Sequence, residues 1–227
     1  MAVKGEIKGA YPLAHHPRRG IRDWLELMLK DHGFLRLSWH NRHEIKPGVW
    51  RANQPAPWDV AAAAKLGVKT IINLRGPRHD GGWRLEKEAC DKYGITLVDV
   101  TVRSRDVPTA ETIRNINDLF QSVQPPFLMH CKSGADRAGL MSALYLLLAE
   151  KTSLDEALDM LSLRYLHVKQ AKTGLLDAFL DAYRPAEARG LSFLEWAEQE
   201  MDPAAIKSGF MARGWASRLV DDILKRE

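Results

Sequence analysis

A cysteine, Cys131, is followed six positions later by an arginine, Arg137, with a glycine between them, Gly134. A thiolate is a strong nucleophile, and the planar guanidinium of arginine can bind two oxygens of a tetrahedral anion at once. Gly134 permits backbone conformations that other residues avoid, so the loop 131–137 can turn several N–H groups toward one anion. This combination is typical of a loop that binds an oxyanion beside a nucleophile.

The sequence on either side of this loop predicts how the fold presents it. Residues 127–129 form a short apolar run typical of a buried strand, and a helix is predicted to begin at about Asp136. The loop then joins the carboxyl end of a strand to the N-terminus of a helix, which is where ligands bind in open α/β sheets. The positive potential of a helix N-terminus favours a thiolate over a thiol at Cys131.

Predicted strands and helices alternate between about residues 48 and 150. Strands are predicted over 49–51, 68–74, 95–102 and 127–129. Helices are predicted over 59–66, 83–93, 108–123 with Thr109 as a cap, and from 136 onward. Such alternation predicts an α/β fold with a central, mostly parallel four- to five-stranded sheet flanked by helices.

Both ends of the chain are predicted to carry additional helices. Between 21 and 30, apolar residues recur at the spacing of one helix face, and we expect this face to pack on the domain: Ile21, Trp24, Leu25, Met28 and Leu29. Helices are also predicted over 154–166, with Ser153 and Glu156 as a capping box, and over 174–183. Pro185 is expected to end the compact domain, and apolar residues beyond it, among them Phe193, Trp215 and Leu219, predict further packed helices.

Composition excludes several classes of protein. The net charge of +4, the mean hydropathy of −0.30 and the 45% hydrophobic content are those of an ordinary soluble protein. The longest apolar run, 140–149, is half of the roughly 20 residues that span a bilayer. Two cysteines exclude a disulfide framework and favour a cytoplasmic location. The pair His15–His16 does not predict a metal site, and no basic stripe interleaved with aromatic residues predicts nucleic-acid binding.

The segment HCKSGADRAG, residues 130–139, resembles the His-Cys-x5-Arg signature of the cysteine-based protein tyrosine phosphatases, and most closely that of their dual-specificity branch. The segment 46–75 is similar to the opening of bacterial and plant-fungal atypical dual-specificity phosphatases, and SLRYLHVKQAKTGLLDAFLDAY also looks like the bacterial relatives. The resemblance covers about residues 44–185. It implies an N-terminal arm and amphipathic helix over 1–43, a phosphatase-like catalytic domain over 44–185, and a C-terminal helical extension over 186–227 packed on that domain or on a partner.

The resemblance also implies a mechanism. Cys131 would attack phosphorus and form a phosphocysteine, while Arg137 and the N–H groups of 132–137 stabilise the equatorial oxygens. The residues implied to surround the substrate are His130, Lys132, Ser133, Gly134, Ala135 and Asp136. No metal or cofactor is needed, and the substrate is a phosphorylated protein, an inositol phosphate or phosphoinositide, or a phosphorylated sugar or lipid.

The family draws a general acid from an aspartate upstream of the cysteine. Asp106 is the first candidate here, and Asp99 is the alternative, although Asp99 lies within a strand pattern and is more typical of a structural residue. Ala138 stands where many relatives have a serine or threonine that assists breakdown of the phosphocysteine, so turnover is expected to be slow. Asp136 places a negative charge beside the anion site unless it turns outward or caps the helix.

Several roles stay open at this point. Cys90 is either an ordinary core residue or the partner of Cys131 in a reversible disulfide. Arg75 and Arg78 are either substrate contacts or solvated side chains. The alternatives to a phosphatase are a phosphate-binding module without turnover and, less favoured, a rhodanese-like sulfurtransferase. The oligomeric state cannot be predicted from the sequence.

Overall fold

The computed structural model describes residues 17–36 and 40–212. Contacts between Cα atoms define two compact units: Met1–Val102 with Leu119–Ser142, and Arg103–Asp118 with Ala143–Glu227. The predictions for His15, His16, Trp215 and Leu219 lie outside the described residues. The predicted domain boundaries stay a prediction.

The first unit contains a five-stranded sheet. Its strands are β1 (His43–Lys46), β2 (Val49–Ala52), β3 (Thr70–Asn73), β4 (Thr96–Asp99) and β5 (Phe127–His130). Their order is β1-β2-β5-β3-β4; β5 runs parallel to β2 and β3, β3 runs parallel to β4, and β1 pairs antiparallel with β2. The predicted α/β fold with a mostly parallel sheet is therefore confirmed. The prediction omitted β1, because its sequence HEIK has only one apolar residue and lies at a half-buried edge of the sheet.

The helices also follow the predicted order. In the first unit they are α1 (Pro17–Leu25), which continues as a π-helical turn (Glu26–Lys30), α2 (Pro57–Lys65) and α3 (Gly81–Tyr93). Helices α4 (Ala110–Ser122) and α5 (Asp136–Tyr145) each contribute residues to both units, and α5 continues as a π-helical turn (Leu146–Glu150). In the second unit they are α6 (Leu154–Leu158), α7 (Leu175–Asp181), α8 (Arg184–Ala188), α9 (Phe193–Gln199) and a helical segment over 203–212. As predicted, the Thr109 hydroxyl caps α4, accepting from the N–H of Thr112 at 3.2 Å.

The helix predicted over 154–166 is shorter than expected. It ends at Leu158, and a 3-10 turn and left-handed Leu166 follow. The Ser153 hydroxyl accepts from the N–H of Glu156, as the predicted cap requires. Beyond the helix, His167 and Asp177 form a buried pair with Nε2 and Oδ2 2.7 Å apart, and this tertiary contact anchors a non-helical segment that the periodic spacing alone cannot reveal. Pro185 lies in the first turn of α8, a position that tolerates proline, and the second unit continues past it.

The predicted packing face of α1 is wrong in part. Leu27 is 2% exposed, and Trp24 and Met28 pack around it, but the side chains on the neighbouring face stay exposed: Ile21 at 70%, Leu25 at 54% and Leu29 at 65%. Polar contacts between α1 and α3 explain this exposure. The Asp23 carboxylate pairs with Arg84 of α3 at 2.6 Å, and Glu26 accepts from the backbone of α3, which turns the polar side of α1 inward.

One core cluster fixes the helices on the sheet of the first unit. Val60 and Ala63 of α2 and Cys90 of α3 pack against Ile71 of β3 and Leu128 of β5. Because β5 is central and buried along its whole length, the residue that follows it has a well-defined position. Among the residues that the structure describes, no helix has the length and apolar character needed to cross a bilayer.

Candidate active site

Cys131 lies directly after β5, at the carboxyl end of the parallel strands. The chain here is held between both neighbouring strands: the Cys131 N–H donates to the carbonyl of Ala52 at 3.4 Å, and the Leu74 N–H donates to the carbonyl of His130 at 2.9 Å. The Gln54 N–H continues this pattern with the carbonyl of Lys132 at 3.3 Å. The cysteine is 2% exposed, at the floor of the loop.

Gly134 gives the loop its turn. Its φ is +77°, in the left-handed region, and a Cβ at this position would lie 2.9 Å from the backbone of Ala52 and Asn53. The Gly134 N–H donates to the Cys131 Sγ at 3.2 Å. A donor aimed at a sulfur interacts favourably with negative charge there, and the predicted thiolate at Cys131 stays a prediction.

Two side chains from other elements fix the loop by its carbonyls. Arg51, fully buried on β2, donates from Nη2 to the carbonyls of Gly134 at 2.7 Å and Ala135 at 3.0 Å. Asn41 donates from Nδ2 to the carbonyl of Ser133 at 3.1 Å. These contacts hold the backbone of the loop from β2 and from the segment before β1.

The residues predicted to surround the substrate all belong to this loop or its ends. Gly134 and Ala135 are buried, Lys132, Asp136 and Arg137 are half-buried, and Ser133 is exposed. Arg137 is the second residue of α5, and Asp136 is the first. An aspartate in the first turn of a helix interacts favourably with the helix dipole. The structure thus places Asp136 in the first turn of α5, and the predicted capping role stays a prediction.

A buried chain of polar side chains begins at His130. The His130 Nε2 is 2.7 Å from Glu86 Oε1, and both side chains are fully buried. Gln54 donates from Nε2 to Glu86 Oε2 at 2.7 Å, and Arg75 donates from Nη1 to Gln54 Oε1 at 2.7 Å. The predicted second role of Arg75, a solvated side chain, is wrong, because its side chain is only 3% exposed.

The chain of contacts continues through Asp31 and returns to the loop. Arg75 holds the Asp31 carboxylate with both Nη atoms, at 2.9 and 2.7 Å, and Lys132 Nζ lies 3.5 Å from the same carboxylate. Burial raises the pKa of Asp31, but the hydrogen bonds and charges of Arg75 and Arg36 outweigh it and hold the pKa below its ordinary value. Both neighbours of Cys131, His130 and Lys132, are therefore ends of one network.

The two candidate acids have different surroundings. Asp99 is in β4, and its carboxylate accepts from Asn73 Nδ2 at 2.7 Å and Trp83 Nε1 at 3.0 Å. Burial raises the pKa of Asp99, although these hydrogen bonds oppose the shift. Its bonds to β3 and α3 agree with the structural role that the strand pattern suggested.

Asp106 lies in the second unit, in the segment before α4. Its carboxylate accepts from Lys207 Nζ at 2.8 Å, and Arg103 is 3.8 Å away. The hydrogen bond from Lys207, followed by the charges of Lys207 and Arg103, lowers the pKa of Asp106. Asp106 is therefore an ion-paired carboxylate in this structure. Its position relative to Cys131 stays a prediction.

Cys90 and Cys131 are both free thiols. Cys90 is fully buried in the core cluster, and burial raises the pKa of its thiol well above the ordinary value. A neutral, buried thiol is a poor partner for thiol–disulfide exchange, so the structure favours the core role over the disulfide. Arg78 is half-exposed and donates from Nε to Asp80 at 2.7 Å.

Sequence reasoning missed the residues that support the loop: Asn41, Arg51, Gln54 and Glu86. One signal was present for Glu86, because it falls at helical spacing from Trp83 and Cys90, on the face of α3 that is buried. A charged residue on a core face requires a buried partner. No comparable local signal exists for Arg51, whose partners are 83 and 84 positions away.

Fold and loop together are those expected for the family of tyrosine and dual-specificity phosphatases. Residues 38–174 match the family described as "DSP-PTPase phosphatase fused to NAD+ Kinase", and the chain belongs to this family. The match contains all five strands and the cysteine loop. The predicted membership of the cysteine-based tyrosine phosphatases is thereby confirmed at the level of the family.

Known proteins agree with this assignment. The dual specificity protein phosphatase TpbA of Pseudomonas aeruginosa UCBPP-PA14 is 26% identical over 120 residues, which are 52% of this chain and 52% of TpbA. The chain thus spans about half the length of the curated relatives it matches. The crystal structure of P. aeruginosa TpbA aligns with a TM-score of 0.50 at 20% identity, covering 66% of this chain and 91% of that one. A DUF442 protein from Shewanella putrefaciens CN-32 aligns with a TM-score of 0.52 at 16% identity, covering 64% and 90%. These structures confirm the fold.

Proposed function

We propose that this protein hydrolyses phosphomonoesters through a phosphocysteine intermediate, without a metal ion. The observation that carries the proposal is the Cys131 sulfur at the carboxyl end of β5, with the Gly134 N–H directed at it and Arg137 in the first turn of the following helix. A pre-shaped loop of N–H donors with a nucleophile at its floor suits a trigonal-bipyramidal phosphoryl group. The substrate is a phosphorylated protein, inositol phosphate, sugar or lipid.

In the first step the Cys131 thiolate attacks phosphorus, a sulfur–phosphorus bond forms, and the ester oxygen leaves. Arg137 holds two equatorial oxygens with its guanidinium, and loop N–H groups hold the third. In the second step water attacks the phosphocysteine and phosphate is released with the thiolate regenerated. Ala138 carries no hydroxyl to assist that step, so the second step is the slower one.

The leaving oxygen takes its proton from Asp106 when the leaving group is an alkoxide. Because the ion pair with Lys207 lowers the pKa of Asp106, little of the protonated acid is available at neutral pH in this conformation. An aryl leaving group such as the tyrosine phenolate needs the acid least. We therefore propose that aryl phosphates, phosphotyrosine among them, are hydrolysed faster than alkyl phosphates.

A phosphate-binding module without turnover is the second candidate. It is favoured by the same two features, the ion-paired Asp106 and the absent hydroxyl at Ala138. Such a module would bind a phosphate group in the Cys131 loop without hydrolysing the phosphoester. The expected cytoplasmic location and the oligomeric state stay predictions that neither candidate decides.

The test is release of p-nitrophenol from p-nitrophenyl phosphate in EDTA between pH 5 and 8. Wild type should be active, and Cys131→Ser should lose at least about a thousandfold in rate, as expected when a nucleophile is removed. Cys90→Ala is the matched control and should retain activity, because Cys90 belongs to the core. Phosphate binding by an inactive wild type would instead establish the binding module.

A further inference from the structure

His130 and Glu86 form a fully buried pair next to Cys131. The Nε2 and Oε1 atoms are 2.7 Å apart, which is an ion-pair contact without regular hydrogen-bond geometry, and neither atom has a hydrogen-bond partner among the residues that the structure describes. Burying a carboxylate away from water is costly unless a neighbouring group balances its charge. His130 is the ionisable side chain in contact with Glu86 and can supply that charge.

The polarity of the network fixes which atoms donate. Arginine can only donate, so Gln54 accepts from Arg75 with Oε1 and presents its NH2 group to Glu86 Oε2. Glu86 thus accepts at Oε2. Its second oxygen, Oε1, is left to His130.

Both contacts of the His130 ring are with acceptors. Nε2 faces the Glu86 carboxylate, and Nδ1 lies 3.4 Å from the backbone carbonyl of Cys131. A neutral imidazole can donate from only one nitrogen, whereas the imidazolium donates from both. Because an imidazole binds a proton more tightly than a carboxylate does, we expect the proton between Nε2 and Oε1 to lie on the ring. The ring then carries two protons, and Glu86 supplies the charge that balances it.

The other ionisable groups around the pair do not compete for this role. Asp99 of β4 interacts electrostatically with both members, but its carboxylate already accepts from Asn73 and Trp83. Cys90 of α3, one turn from Glu86, is a neutral thiol. Arg75 acts on Glu86 through Gln54.

We propose that Glu86 is a positioning residue for Cys131: its buried carboxylate keeps His130 doubly protonated and oriented, so that a buried cation lies beside the nucleophile. The role of the thiolate rests on the proposed function, but the protonation of His130 does not. Glu86 acts through His130 and touches neither the loop backbone nor, by this proposal, the substrate.

The experiment compares wild type with Glu86→Gln, which has the same shape without the charge. Long-range ¹H–¹⁵N spectra report the protonation of each ring nitrogen of His130, assigned by the signals that a His130→Asn variant loses. In parallel, iodoacetamide alkylation of Cys131, followed by mass spectrometry of its peptide between pH 4 and 9, reports the thiolate without any turnover. Glu88→Gln is the matched control, because Glu88 is exposed on the same helix.

Wild type and Glu88→Gln should show two protonated ring nitrogens at pH 7, and Glu86→Gln should show one. The alkylation midpoint of Glu86→Gln should move upward by about one pH unit, which is a tenfold loss of thiolate on the rising limb. Glu86→Asp should recover part of the shift. A structural role alone would alter stability but would move neither signal.

Unchanged His130 spectra and an unchanged alkylation midpoint in a folded Glu86→Gln protein would overturn the proposal. If that variant does not fold, the wild-type spectrum decides, because a singly protonated His130 at pH 7 overturns it as well. A wild type that shows the His130 signature but does not hydrolyse p-nitrophenyl phosphate would contradict the proposed function and leave the role of Glu86 supported.

Discussion

The loop that carries Cys131 and the segment that carries Asp106 are stabilised in opposite ways. Around Cys131 the supporting side chains include two that are fully buried and come from distant elements: Arg51 from β2 and Glu86 from α3. Around Asp106 the support is an exposed ion pair with Lys207, whose side chains are 39% and 51% accessible. Buried contacts support the loop that carries the nucleophile, whereas Asp106 is paired through a contact that solvent can replace.

This difference indicates how each part responds to change. Buried hydrogen bonds from charged donors contribute about 1.5–3 kcal/mol each, while exposed ion pairs contribute about 0–1 kcal/mol. We therefore expect the shape of the cysteine loop to depend on remote residues. We expect the state of Asp106 to depend on pH, salt and the position of Lys207.

The largest expected effect is that of Arg51→Met. It removes two buried hydrogen bonds to the loop, so the free energy of unfolding should fall by about 3 kcal/mol, and phosphate should bind more weakly. Urea unfolding with and without phosphate measures both quantities. Arg42→Met is the control, since Arg42 is exposed in the same unit. Equal stability of the two variants would contradict the conclusion that Arg51 of β2 stabilises the loop.

The next largest effect is expected for Asp106→Asn, which should change how strongly the rate depends on the leaving group. Hydrolysis of an alkyl phosphate should fall by about a hundredfold, and hydrolysis of p-nitrophenyl phosphate by less than about tenfold, because the phenolate leaves without a proton. Steady-state kcat with the two substrates gives the ratio. Asp99→Asn should leave that ratio near the wild-type value. A larger change in the ratio for Asp99→Asn would assign the acid to β4.

The smallest effect is that of Lys207→Ala. Removing the ammonium raises the pKa of Asp106 toward its ordinary value, so the protonated acid becomes more abundant at pH 6–7, and alkyl phosphate hydrolysis should rise by about two- to fivefold. The ion pair stabilises the fold only above the ordinary pKa of an aspartate, and this contribution disappears as pH falls through the lowered value. The loss at pH 7 should be within about 1 kcal/mol.

The pH–rate profile of Lys207→Ala, compared with that of Lys172→Ala, measures the activity change, and the thermal midpoint measures the stability change. Lys172 is exposed in the same unit and serves as the control. An unchanged alkyl profile in Lys207→Ala would show that this ion pair does not control the acid.

The sequence alone determined the chain order of β2 to β5 and of the helices between them, and the loop that follows β5. Local spacing decides these features: a short apolar run gives β5, Gly134 gives the left-handed turn at φ +77°, and Gly94, also left-handed, ends α3. The same local reasoning failed where a tertiary contact overrides periodicity, as in the exposed Ile21 face of α1 and the early end of α6.

Only the tertiary structure decided which residues support the nucleophile. Glu86 is 44 positions before His130 and Arg51 is 83 positions before Gly134, so no window of sequence contains either pair. Their pairing depends on the parallel order that places β2 beside β5 and on the packing of α3 against the sheet. The residue types that the chemistry requires lie in one short segment of the sequence. The charged side chains that support this segment come close to it only after the chain has folded.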